Sequence, residues 1–290
     1  MVTGRHPVTG PDVVRFRSLL AGADRSLLGG PGATGGAGGA PSPLGLLAAL
    51  ALRVSDRLLS ATGLRDGVVP IHGAQRLRVL RPVLAGDVLL STASVASVKP
   101  LGAGIATEVV VGFTAETGDV LAESTALLVH GPPPTGPTPA AGPARPAGPP
   151  AARAESAAGE EAPRTSSFAV TRALLREYAE VSGDHNPIHQ SESAARAAGF
   201  SDVIAHGLLT FALAGHHLAG FAGEDRVSEL RLRFARPLVV RPGGALVSVT
   251  DSPVPGHDPV GLVLRAVDGD GTTFATGRAV LLRRHDPDNA

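Results

Sequence analysis

The chain has 290 residues, enough for one large domain or two ordinary ones that each bury a core. Twenty-six basic residues balance twenty-six acidic ones, so nothing favours a nucleic-acid or membrane-surface partner. The absence of cysteine removes disulfides, thiolate nucleophiles and thiolate-held metals together.

From the N-terminus, Met1-Val-Thr-Gly-Arg-His-Pro7 lacks the apolar core of a signal peptide. The longest apolar run, Leu44 to Leu52, is far too short to span a bilayer, and a cytoplasmic protein is expected. A Gly-rich patch, Gly29–Gly39, reads as a loop. No Gly-Lys-Ser/Thr follows it, so phosphate binding is not indicated. An apolar helix then opens at Gly45, with Ala48, Ala49 and Ala51 as a small-residue face. Ile105–Phe113, turning at Glu116-Thr-Gly-Asp119, predicts an antiparallel hairpin.

Between Gly131 and Pro150, thirteen of twenty residues are Pro or Gly, a composition that cannot bury a core. With the acidic stretch Glu155–Glu161 it divides the chain into 1–130, a linker at 131–164, and 165–290. The halves repeat one another. Gly45-Leu-Leu-Ala-Ala-Leu-Ala51 matches Gly207-Leu-Leu-Thr-Phe-Ala-Leu213, and Leu77-Arg-Val-Leu-Arg-Pro82 matches Leu232-Arg-Phe-Ala-Arg-Pro237. Gly118–Leu128 matches Gly271–Leu281, and Val260–Val267 turning at Asp268-Gly-Asp-Gly271 predicts the second copy of the hairpin. Each half thus reads as one apolar helix followed by several strands, an α+β unit whose sheet wraps the helix.

Only the second half carries a chemical motif. Thr171 is placed to cap a helix through Val181, and Gly183 to stop it in a left-handed conformation. The chain continues Asp184-His-Asn-Pro-Ile-His189, where Pro187 forces a turn that can aim Asp184 and His189 at one point. A carboxylate beside an imidazole is a minimal kit for moving protons through a water. A short helix over Ser191–Ala198 follows, then Ile204-Ala-His-Gly-Leu-Leu209, where Gly207 opens an apolar helix with free first-turn N–H groups.

Gly183-Asp184-x-Asn186-Pro187-Ile188-His189, followed at this distance by Ile204-Ala205-His206-Gly207, resembles the hydratase-2 signature of MaoC-like dehydratases, the (R)-specific enoyl-CoA hydratases. The motif-bearing resemblance covers roughly residues 165–285. It implies a double hot-dog fold, an internal pseudo-dimer, with homodimerisation left open. It also implies reversible hydration of an acyl-CoA or acyl-carrier-protein enoyl thioester in fatty-acid or related acyl metabolism, with no cofactor. Asp184 and His189 would then hold the reacting water, Asn186 would orient the loop or the water, and the Gly207 N–H would bind the thioester carbonyl. The first half has no histidine between His6 and His72 and reads as a degenerate copy that builds the pocket wall.

His206 is read as holding the loop through a hydrogen bond, with lining the site as the alternative, and His185 as facing solvent. His216 and His217 are read as packing or surface residues, because adjacent helix positions point apart and cannot chelate; no metal is expected. Arg231, Arg233 and Arg236 suit carrier phosphates less well than a solvated strand face. Some family members carry a serine late in the central helix, where this chain has Ala212-Leu-Ala-Gly215. Three alternatives stay open. A hot-dog thioesterase needs a helix carboxylate, yet no Asp or Glu occurs between Asp202 and Glu224. A non-catalytic acyl-binding subunit would not need the intact Asp/Asn/His set. A Pro-rich ligand for a partner's aromatic groove would want basic anchors that the linker lacks.

Overall fold

The computed structural model describes residues 1–26, 41–64, 70–102, 104–131, 162–256 and 259–282. The Gly29–Gly39 patch and residues 132–161 of the linker expected over 131–164 lie outside these residues. The first half contributes strands β1 (Val2–Pro7), β2 (Ile71–Val79), β3 (Val88–Leu101), β4 (Gly104–Thr114) and β5 (Val120–His130), with helices α1 (Gly10–Ala23) and α2 (Leu44–Ala61). The second contributes β6 (Arg164–Val170), β7 (Val227–Phe234), β8 (Ala245–Pro253), β9 (Val260–Asp268) and β10 (Thr273–Leu281), with α3 (Arg172–Ser182), α4 (Glu192–Ala197) and α5 (Gly207–Ala222).

The strands form one ten-stranded sheet in the order β1-β3-β4-β5-β2-β7-β10-β9-β8-β6, and every pairing is antiparallel. Read outward from the centre, the order of one half repeats the other, so the repeat seen in the sequence is a repeat of topology. The seam is the β2–β7 ladder, where Gln75 faces Leu232 and Leu77 faces Leu230. Both expected hairpins form, β4–β5 and β9–β10. The central helices α2 and α5 meet where Gly45 lies against Ala212. Leu47, Val54 and Leu59 from α2, Leu209, Phe211 and Leu218 from α5, and Leu77, Val109 and Phe113 from the sheet share one core across the seam. Burying each such large side chain stabilises by about 1.5–3 kcal/mol, which is why the halves cohere. Among the described residues no helix is long and apolar enough to cross a membrane.

One feature departs from the sequence reading. Each half begins with a strand and a helix ahead of its central helix, whereas one helix followed by strands was expected for the first. Thr9 caps α1 by accepting from Asp12 N at 3.2 Å, and Val13, Phe16, Leu20 and Ala23 bury its inner face. The two leading helices touch at Phe16 and Tyr178, whose rings lie 6.1 Å apart edge to face.

His217 is a buried packing residue, not a surface one, and it packs through polar contacts. Its Nδ1 lies 2.8 Å from Ser166 Oγ and its Nε2 2.8 Å from Asp251 Oδ1. Arg164 pairs with the same carboxylate at 2.8 Å while stacking over the Phe221 ring at 3.6 Å. Burial by itself would raise the Asp251 pKa, but the hydrogen bonds from His217 and Arg164 outweigh it and hold the carboxyl below its ordinary value. His216 lies 3.4 Å from Asp24.

Candidate active site

The loop between α3 and α5 is anchored at both ends. Thr171 Oγ1 caps α3 by accepting from Leu174 N at 3.1 Å, and Gly183 stops the helix at φ 77°, where a side chain would be strained. Arg53, from the first half's central helix, donates to the terminal carbonyls of α3, Nε to Ser182 O and Nη2 to Val181 O, both at 2.7 Å. At the far end Arg172 pairs with Glu192 and Asp202, each at 2.7 Å, tying α3 to both flanks of α4.

Within the loop the polar side chains hold their own backbone. Asp184 Oδ1 accepts from Asn186 N and Asn186 Oδ1 from Ile188 N, each at 3.3 Å, two successive Asx turns. Pro187–His189 then form a single 3-10 turn. Asn186 therefore shapes the loop, as expected. His185 is exposed, also as expected.

This geometry brings Asp184, His189 and His206 together. His206 precedes α5 directly, and its Nε2 lies 3.1 Å from Asp184 O. Its ring packs on His189 at 3.9 Å between centroids with a 30° tilt, and on Tyr178 at 5.0 Å. The expected loop-holding bond of His206 is thus present. A carbonyl only accepts, so His206 Nε2 carries its hydrogen and Nδ1 is bare. The same logic applies to His189: Nδ1 lies 2.8 Å from Ile204 O, so Nδ1 is protonated and Nε2 is the free acceptor.

Burial lowers the pKa of His189 below its ordinary value, with the charge of Asp184 pulling the other way. Burial, followed by the neighbouring His189, drives His206 down to about 3. Both rings are neutral at pH 7. Burial and then the Asp184 charge raise Tyr178 well above its usual value, and the phenol stays protonated. Tyr178 Oη and His206 Nδ1 are buried without a hydrogen-bond partner among the described residues.

Asp184, His189 and His206 each offer a potential ligand atom within 4.8 Å of the others. One nitrogen of each ring is committed to a backbone carbonyl, His189 Nδ1 to Ile204 O and His206 Nε2 to Asp184 O, which leaves one bare nitrogen on each. Arg231, Arg233 and Arg236, weighed above as phosphate contacts, occupy exposed positions on and just after β7.

Gly207 opens α5 beside this cluster. A Cβ built there would come within 2.9 Å of His72 Cβ and 3.3 Å of the Phe234 ring, so two strands close on the helix terminus. His72 was not singled out by sequence. It belongs to β2 of the half that lacks the motif, and only the β2–β7 seam carries it to the site. Burial lowers His72 to about 4, and the charges of Asp184 and His189 act on it as well.

Sheet, paired central helices and loop together define an α+β protein of the double hot-dog class. A double-hotdog protein of Mycobacterium tuberculosis superposes with a TM-score of 0.56 at 14% identity, covering 96% of this chain and 94% of that one. A solved MaoC-like dehydratase superposes with a TM-score of 0.73 at 21% identity, with 96% of each chain covered. Residues 153–251 match the family model described as a MaoC like domain. Within the double hot-dog class, the protein is therefore similar to MaoC-like domains over residues 153–251.

The 3-hydroxyacyl-thioester dehydratase Y of M. tuberculosis is 31% identical over 199 residues, 64% of this chain and 63% of that protein. The 3-hydroxyacyl-thioester dehydratase X of the same organism is 42% identical over 79 residues, 27% of each. The chain thus spans less than two thirds of the length of either relative.

Proposed function

We propose that the protein catalyses reversible addition of water to a trans-2-enoyl thioester of CoA or acyl carrier protein, giving the (3R)-3-hydroxyacyl thioester. The observation that carries this reading is the pairing of two free acceptors, the Asp184 carboxylate and His189 Nε2, beside the opening turn of α5. Two acceptors bind one water through both of its hydrogens and aim its oxygen lone pair at the substrate. One acceptor removes a proton as the oxygen adds to C3. The proton returns to C2 on the same face. The Gly207 N–H, unpaired at a helix N-terminus, donates to the thioester carbonyl as enolate-like charge develops; a donor of this kind contributes about 3–4 kcal/mol. The dehydratase names of the two relatives support the same chemistry.

In this reading residues 1–130 and 165–290 are the two hot-dog domains, 131–164 joins them, and the second reacts within a chamber that the first helps to wall. A thioesterase is the weaker reading, because α5 carries no carboxylate to direct water at the carbonyl carbon. Both proton-handling groups sit on one loop, so water approaches a single face of the alkene. The test is loss of enoyl absorbance with crotonyl-, octenoyl- and dodecenoyl-CoA, with carrier-protein thioesters in parallel. The product is then coupled to an (S)-specific 3-hydroxyacyl-CoA dehydrogenase. Hydration without NADH formation is expected. Thioester cleavage in place of hydration, or rapid NADH formation, overturns the assignment.

A further inference from the structure

His72 stands where the ladder between β2 and β5 slips. His72 faces Leu128 and Ala74 faces Leu127, so Gly73 is an extra residue on its strand. A bulge of this kind re-aims the side chain beside it. The ring is set edge to face against Phe234 across the seam, at 6.4 Å and 89°. Its Nε2 lies 3.3 Å from Gln75 Oε1. The orientation of that amide follows from its other contacts. Gln75 Nε2 reaches Arg76 O at 3.1 Å, which only a donor can do, and Ser124 Oγ at 2.7 Å. Oε1 is therefore the atom facing His72, and His72 Nε2 carries the hydrogen. The buried Gln75 and Ser124, each 2% exposed, fix this tautomer from within the sheet. Burial lowers the ring to about 4, so it is neutral at pH 7 and Nδ1 carries a lone pair there.

An acceptor beside Gly207 cannot stabilise negative charge on the thioester carbonyl; it suits a donor on the substrate. Two carbons beyond the sulfur of a pantetheine thioester lies an amide N–H, the first donor along the arm. We propose that His72, supplied by the half without the motif, is a specificity residue of this site whose Nδ1 accepts that first pantetheine amide N–H. The proposal rests on the enoyl-thioester reading. Gln75 and Ser124 act through His72 as positioning residues.

The test compares crotonyl-N-acetylcysteamine thioester, which carries the amide, with S-butyl crotonothioate, which does not. The readout is the ratio of kcat/KM for the two. His72→Leu lowers the preference for the amide-bearing thioester about tenfold, mainly through KM, the size of one neutral hydrogen bond. His72→Asn places an oxygen acceptor near the Nδ1 position and keeps the preference within about threefold of wild type. His72→Gln places its oxygen further out, near Nε2, and loses the preference. Thermal melts accompany each variant, and the Asn and Gln pair makes the comparison if the Leu variant does not fold. An unchanged ratio in His72→Leu and His72→Gln overturns the assignment of His72 alone. Failure of the wild type to hydrate either thioester overturns the enoyl-thioester reading and this inference with it.

Discussion

Gly207→Ala separates the proposed chemistry from ordinary helix energetics, because the two predict opposite results. Alanine is the better helix former, and at an unobstructed first-turn position the change would stabilise by up to about 1 kcal/mol. Here the new Cβ would sit 2.9 Å from His72 Cβ and 3.3 Å from the Phe234 ring. The first separation falls short of a relaxed carbon–carbon contact by about 0.6–1 Å. His72 Cβ is bonded directly to the strand backbone at the seam and is not the end of a flexible side chain, so the start of α5 must move instead. Overpacking of this kind costs about 1–3 kcal/mol, and Tm should fall by about 2–8 °C. The larger effect is on rate. A donor displaced by most of an ångström from the thioester carbonyl stops acting as one, and kcat should drop about 10²–10³-fold. Both are read from one preparation, by thermal melt and by loss of enoyl absorbance on crotonyl-CoA. A Gly207→Ala protein with raised Tm and wild-type kcat would refute the placement of the carbonyl at this N-terminus.

Asp184→Asn and His189→Ala should each lower turnover by about 10²–10⁴-fold, since the first replaces a carboxylate that can take a proton with an amide that cannot, and the second removes the imidazole. Near-wild-type turnover in Asp184→Asn sinks that role. Because burial lowers the His189 pKa, the free acceptor persists at pH values where an ordinary histidine would be protonated, and the acid limb of kcat/KM should lie below pH 6.5. The unfolded chain protonates first, so the same burial makes stability decline as pH falls through about 6.5 toward the folded value; an acid limb at or above 6.5 contradicts the assignment. Asp251→Asn removes the buried carboxylate that both His217 and Arg164 contact and should destabilise by about 3 kcal/mol in denaturant titrations. Asp251 is held low in the folded state, so its contribution is present above about pH 4 and lost as pH falls through the folded pKa. A denaturation midpoint unchanged by Asp251→Asn would show that the network contributes nothing net.

Local features were legible in the sequence because their causes are local. The Thr171 cap, the Gly183 stop and the turn at Asn186-Pro187 each depend on a few consecutive residues, and the structure has all three. The two hairpins and the twofold repeat were readable for a related reason: turn residues and apolar alternation recur at matching places in both halves. The spacing from Asp184 through His189 to Gly207 survived as well, since the intervening short helix began and ended within a residue of where its Ser191 cap and Gly199 placed it.

Tertiary structure alone decided which strands meet. The β2–β7 seam joins residues more than 150 positions apart, and no periodicity in either strand names its partner. That one pairing brings His72 to Gly207 and turns a half without a motif into part of the site. The Arg53 clamp on α3 and the Asp251 network with Arg164 and His217 arise the same way, from side chains whose partners are distant in sequence. What the loop is follows from its own residues. What surrounds it follows from the burial of two apolar helices against one continuous sheet, a cooperative outcome written in no single segment.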